Sequence, residues 1–84
     1  MNADPTEPAV EVFTQEYCPS CRQVEALLTE HGVAFQSRDV LNDADALEAI
    51  AARGYMSTPI TRFGDTGVAG FDREQLLRLI GETP

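Results

Sequence analysis

Residues 9–31 read Ala-Val-Glu-Val-Phe-Thr-Gln-Glu-Tyr-Cys-Pro-Ser-Cys-Arg-Gln-Val-Glu-Ala-Leu-Leu-Thr-Glu-His, and this stretch decides the fold. Ala9 to Thr14 is rich in β-formers with partial alternation, which predicts a strand. The pattern changes after Pro19. Val24, Leu27, Leu28 and His31 recur at i, i+3, i+4 and i+7, the period of one helical face. Pro19 suits a first helical turn, where its missing N–H costs nothing. Gly32 is a natural stop. A strand therefore runs directly into Cys18-Pro19-Ser20-Cys21, and a helix starts on it.

Working outward, Val33 to Val40 reads as a second strand, with Val33 and Phe35 on one side. Asn42 is placed as the cap of a second helix, with Leu47, Ile50 and Ala51 as its buried stripe and Arg53-Gly54 at its end. Tyr55 to Pro59 is a connector. Ile60 to Phe63 is a third strand, Gly64 to Gly67 a turn, and Val68-Ala69 the stub of a fourth strand closing a hairpin. Asp72 opens a third helix with Gln75 three residues on. Leu76, Leu77, Leu79 and Ile80 form its apolar face, and Gly81 ends it. The order β-α-β-α-β-β-α begins with a right-handed parallel crossover. One short chain builds one core, so the hairpin must extend the same sheet. The expected fold is α/β: a four-stranded mixed sheet with helices on both faces. Residues 1–8 are expected to be a flexible tail and residues 9–84 a single domain.

The chain has 84 residues, 43% of them hydrophobic and 24% charged, which excludes a wholly disordered chain and leaves room for one domain. No apolar run approaches the ~18 residues of a membrane span. The acidic, proline-bearing start does not resemble a signal peptide, so a cytoplasmic protein is expected. Six arginines and no lysine face 14 acidic residues, a formal charge of −8. A net anion does not seek nucleic acid or acidic lipid, so neither is expected as a partner. The surplus acid reads either as solubility or as a face for a basic protein patch.

Both cysteines lie in the one Cys-x-x-Cys. A secreted disulfide framework needs more cysteines at wider spacing, and a zinc site needs a second ligand pair that His31 alone does not supply. A pair of inert core thiols and a redox dithiol remain, and spacing alone does not choose between them. The strand–helix junction favours the dithiol. At a helix start, free N–H groups and the positive end of the dipole favour a thiolate on Cys18. Cys21, a turn further in, is placed to resolve the mixed disulfide. Cys18 is thus the expected exposed nucleophile and Cys21 the more buried resolving thiol. Ser20 is small and exposed in this reading, and Glu16 opposes thiolate formation if it turns inward. Tyr17 either contacts a substrate or covers the sheet end. Most X-Pro bonds are trans, but Thr58-Pro59 before a strand, next to a Cys-x-x-Cys in this topology, predicts a cis bond, which would leave the Thr58 backbone to pair with an extended ligand.

Taken together, the β-α-β-α-β-β-α order, Cys18-Pro19-Ser20-Cys21, Thr58-Pro59 and Gly70-Phe71-Asp72 resemble the glutaredoxins of the thioredoxin-fold superfamily, from Val10 to Ile80. The resemblance implies reversible thiol–disulfide exchange on protein disulfides or glutathione mixed disulfides. It implies no bound cofactor, with glutathione as co-substrate. Residue by residue, it places Cys18 and Cys21 as the catalytic thiols, Pro59 as the cis-proline and Thr58 as the backbone partner of the glutathione cysteinyl unit. Gly70, Phe71 and Asp72 would hold the γ-glutamyl end. Asp72 is also a plain helix cap in its own right, and the two roles are compatible.

The departures matter. The family's usual Lys three residues before the first Cys is Gln15 here, with Glu16 beside it; Arg53 is either a cation facing the cleft or a solvated helix-end residue. Gly54-Tyr55-Met56-Ser57 and Gly70-Phe71 also resemble the redoxins that serve ribonucleotide reductase and take electrons from thioredoxin reductase. Those carry Trp-Ser where this chain has Val68-Ala69. An iron–sulfur cluster carrier is a further alternative, disfavoured by Pro19, and no metal ligand set is expected. A monomer is expected.

Overall fold

The computed structural model describes residues 8–83. The expected tail lies almost wholly outside that range. Seven elements follow in chain order: β1 (Val10–Thr14), α1 (Pro19–Glu30), β2 (Phe35–Asp39), α2 (Ala44–Ala51), β3 (Ile60–Phe63), β4 (Thr66–Ala69) and α3 (Arg73–Glu82). The sheet order is β2-β1-β3-β4. β1 pairs parallel with β2 and antiparallel with β3, and β3 pairs antiparallel with β4. The expected mixed sheet in β-α-β-α-β-β-α order is the fold observed.

Alternation along β1 splits the apolar residues between two faces. Val10 and Val12 join Val24, Leu27 and Leu28 of α1, Val68 of β4, and Leu76 and Leu79 of α3 in one buried cluster. Phe13 points the other way and packs with Val40, Ala46, Ile50 and Ile60. So α1 and α3 cover one face and α2 the other.

The short α2 leaves part of its face to charged residues. Glu11 lies two residues before Phe13 on β1, and its carboxylate takes Arg38 Nη1 of β2 at 3.0 Å and Arg62 Nε of β3 at 2.9 Å. Both guanidinium groups lie over the Phe13 ring, 5.5 and 5.6 Å from its centroid. Their long stems do the covering that a longer helix would do. Burial opposes the Arg38 charge, but hydrogen bonds to Glu11 and Asp43 outweigh it and raise its pKa.

Several boundaries differ from the sequence reading. Val33 is not in β2, because its N–H bonds Leu28 O while Gly32 N–H bonds Thr29 O. These two hydrogen bonds close the end of α1, with Gly32 at φ +70. His31 is the exposed C-cap of α1 rather than part of its buried face. The N-cap of α2 is Asp43, which accepts from Ala46 N–H, while the Asn42 side-chain N–H donates to Asp39 and holds that side chain in the preceding turn. That one-residue shift turns α2 in phase: Ala46 is buried with Ile50, while Leu47 is 51% exposed and Ala51 is exposed. α3 runs through Gly81 to Glu82, and the Thr83 hydroxyl donates to Ile80 O at 2.6 Å. β4 begins at Thr66, so the turn is shorter than expected.

Candidate functional site

Cys18 is the N-cap of α1, and its Sγ accepts the Cys21 N–H at 3.1 Å. Pro19 at the first helical position donates no hydrogen bond, so the sulfur and the helix do not compete for an N–H there. Cys18 and Cys21 form a disulfide with Cα atoms 5.3 Å apart. Cys18 is partly exposed and Cys21 only 3% exposed. The two sulfurs therefore differ in access, as the sequence reading expects.

Across the disulfide, the Thr58 hydroxyl donates to Cys18 Sγ at 3.9 Å. The Thr58–Pro59 bond is cis and Pro59 is buried. Among the described residues, no backbone hydrogen bond engages Thr58. Pro59 O accepts the Gly70 N–H at 2.8 Å, which ties the exit of β4 to the entry of β3. Gly70 has φ +71, a backbone that a side chain would strain. Phe71 follows it, half exposed. Cys18, Cys21, Thr58, Pro59 and Gly70 thus meet at one end of the sheet, with Phe71 and Asp72 next along the chain.

Asp72 caps α3. Its Oδ1 accepts Gln75 N–H at 3.1 Å and its Oδ2 accepts the Gln75 side-chain amide at 3.0 Å. Both carboxylate oxygens are thus engaged within the helix start. Tyr17 does not cover the sheet end. It is 90% exposed, with φ +57. Gln15 and Glu16 are also exposed. Arg53 lies 3.8 Å from Asp65 and lines a small cavity with Phe13, Tyr55 and Gly67.

One residue at the site was missed. Arg22 lines an open hollow together with Tyr17, Cys18 and Pro19. The signal was present in the sequence: Arg22 stands four residues after Cys18, one helical turn away on the same side.

The glutaredoxin family profile matches residues 10–68. This chain belongs to the glutaredoxin family. It is a thiol–disulfide oxidoreductase with a Cys18–Cys21 pair. A probable glutaredoxin of Synechocystis sp. is 38% identical over 65 residues, spanning 75% of this chain and 74% of that protein. The glutaredoxin-like protein NrdH of Lactococcus lactis is 26% identical over 70 residues, spanning 83% of this chain and 97% of that one. The structure of the NrdH-redoxin from Escherichia coli, a glutaredoxin-like protein described as having a thioredoxin-like activity profile, superposes with a TM-score of 0.78. It is 26% identical, over 83% of this chain and 92% of that one. The glutaredoxin match ends before Gly70, so the Gly70-Phe71-Asp72 segment lies beyond it. No group of three or more metal-ligating side chains occurs among the described residues, and no described helix is long and apolar enough to cross a membrane.

Proposed function

We propose that Cys18 is the attacking thiolate, that Cys21 resolves the intermediate, and that the chain reduces protein disulfides or glutathione mixed disulfides. One observation carries this reading: the more exposed sulfur of the pair caps α1 and accepts a helical N–H. That N–H stabilises a negative sulfur more than a neutral one. The Thr58 hydroxyl supplies a second donor on the opposite side.

In the first step the Cys18 thiolate attacks one sulfur of the substrate, and the other leaves as a thiolate with the electron pair. In the second, Cys21 loses its proton and attacks Cys18 Sγ, which closes the disulfide and releases the second thiolate. The substrate gains two electrons and the dithiol loses them. Thr58 and Pro59 are the proposed backbone contact for the substrate, flanked by Tyr17, Gly70 and Phe71. Glutathione, the reductant that the family resemblance implies, then restores the dithiol.

A second reading takes electrons from thioredoxin reductase instead. It is favoured by Asp72, where a ligand amine would have to share both carboxylate oxygens with the Gln75 bonds. The likeness to NrdH proteins supports it as well. NADPH-coupled reduction of a small disulfide separates the two. Turnover only with glutathione and glutathione reductase supports the first and gives Asp72 a ligand role. Turnover only with thioredoxin reductase supports the second and leaves Asp72 a cap.

The roles of the thiols are tested by two variants. Cys18→Ser is expected to abolish all exchange. Cys21→Ser is expected to block reduction of protein disulfides and to retain removal of glutathione from mixed disulfides, which one thiol performs. Equal loss in both variants on a glutathione adduct overturns the glutathione reading. Retained activity in Cys18→Ser overturns the assignment of the nucleophile.

A further inference from the structure

We propose that Arg22 is a specificity residue of this site and favours disulfides that carry a carboxylate near the sulfur under attack. The inference rests on the redox reading of Cys18 and deepens it.

The arginines of this chain divide sharply. Arg38 and Arg62 bind Glu11, Arg53 meets Asp65 at 3.8 Å, and Arg78 meets Glu74 at 3.7 Å. Arg22 and Arg73 have no carboxylate within ion-pairing distance among the described residues, although the chain has more than two acids for every arginine; of the two, Arg22 is the one that lines the hollow beside Cys18. It is exposed, and it shares its hollow with Cys18, Tyr17 and Pro19. A cation left unpaired in an acid-rich protein, one turn from the reactive sulfur, is available to a ligand anion. Its fork of donors suits a carboxylate in particular.

The whole-molecule field makes this cation consequential. At a formal charge of −8 the protein repels anions on approach. The neighbouring chain offers no help, since Gln15 and Glu16 stand where a cation would otherwise lie. A carboxylated disulfide entering the hollow beside Cys18 therefore meets a local attraction at Arg22 against a repulsive background. Tyr17 supplies an exposed aromatic ring at the rim of the same hollow. The favoured substrate class is thus an anionic disulfide with an apolar or aromatic portion.

The test uses the reduced protein in single turnover, with no reductase present. Thiol release is followed from 5,5′-dithiobis(2-nitrobenzoate), which is anionic, and from 4,4′-dithiodipyridine, which is neutral. The readout is the ratio of the two second-order rate constants, anionic over neutral. Arg22→Gln is expected to lower that ratio about two- to five-fold at low salt, the range of a single exposed ion pair. Arg22→Glu lowers it further, and Arg22→Lys restores most of it. Added salt should erase the difference between wild type and Arg22→Gln. A ratio unchanged in Arg22→Gln overturns the proposal, including the case where both rates fall equally, since that effect would act through Cys18 itself. Failure of the redox reading looks different: the wild-type rate constants for both disulfides would be no greater than those of a simple thiol such as N-acetylcysteine at the same pH.

Discussion

Thr61 lies in the middle of β3, fully buried, and its hydroxyl has no partner in the described structure. It sits opposite Val12 on one side and Val68 on the other, among apolar side chains. A buried hydroxyl without a partner loses its hydration and gains nothing in return. Thr61→Val keeps the shape and removes the hydroxyl, so it is expected to stabilise the fold by about 1 kcal/mol, read as a higher denaturation midpoint at unchanged slope. A lower midpoint would mean that a water or a backbone carbonyl satisfies the hydroxyl. At this scale the sequence is most legible where chemistry is local. Cys18 and Cys21 are legible from their spacing at a strand–helix junction, and Thr58-Pro59 from its residue type alongside that motif. Arg22 carries no such mark, because its meaning depends on which arginines find acids elsewhere in the fold. Glu11 is similar: one acid between two valines looks like a solvent-facing strand position, and only the arrival of Arg38 and Arg62 beside it shows otherwise.

The element with the least legible detail is α2. Asn42 and Asp43 are both competent caps. The choice is made by Asp39, whose carboxylate takes both the Leu41 N–H and the Asn42 amide, leaving Asp43 to cap the helix. A shift of one residue rotates the helix by roughly 100°, so Ala46 enters the core and Leu47 leaves it. The start of β2 was obscured in the same manner, by hydrogen bonds that close α1 beyond Gly32. The long periodic runs of α1 and α3 were legible because many residues vote on their phase.

The Asp43 carboxyl also makes α2 sensitive to pH. The Ala46 N–H lowers its pKa, and burial opposes this, with Arg38 adding to the lowering through a hydrogen bond and its charge. A carboxyl whose folded pKa is depressed contributes stability above its unfolded value, near 4, and loses it as pH falls through the folded value. Asp43→Asn retains a cap and removes the charge. Its melting temperature should fall below wild type at pH 7, and the gap should close as the medium is acidified below about pH 4. A gap that persists undiminished at low pH would show that charge is not what Asp43 contributes.

For the molecule as a whole, charge and site are arranged unevenly. Four arginines are engaged, Arg38 and Arg62 on the α2 face and Arg53 and Arg78 at the surface, and most acids among the described residues are left without a cation. Self-repulsion of this kind opposes the compact state and is screened by salt. The melting temperature should therefore rise by a few degrees between low and moderate NaCl concentration. A fall would show that the ion pairs around Glu11, rather than the net charge, dominate the salt response. The redox site sits at the end of the sheet where α1 starts and β3 enters, with one core on each side of the strands that hold it. The sulfurs are thus held by packed elements, while Tyr17, which shares the hollow with Cys18, stands out into solvent.

Tyr17 gives the molecule a property unrelated to exchange chemistry. The chain has two tyrosines and no tryptophan, so its ultraviolet emission belongs to Tyr17 and Tyr55. One ring lines the hollow beside Cys18, and the other packs against the Phe13 cluster over Gly67, where an added Cβ would come within 2.5 Å of its hydroxyl. A closed disulfide quenches a neighbouring phenol, and an open dithiol does so less. The emission is therefore expected to rise when the Cys18–Cys21 disulfide is reduced, and Tyr17→Phe is expected to remove that rise.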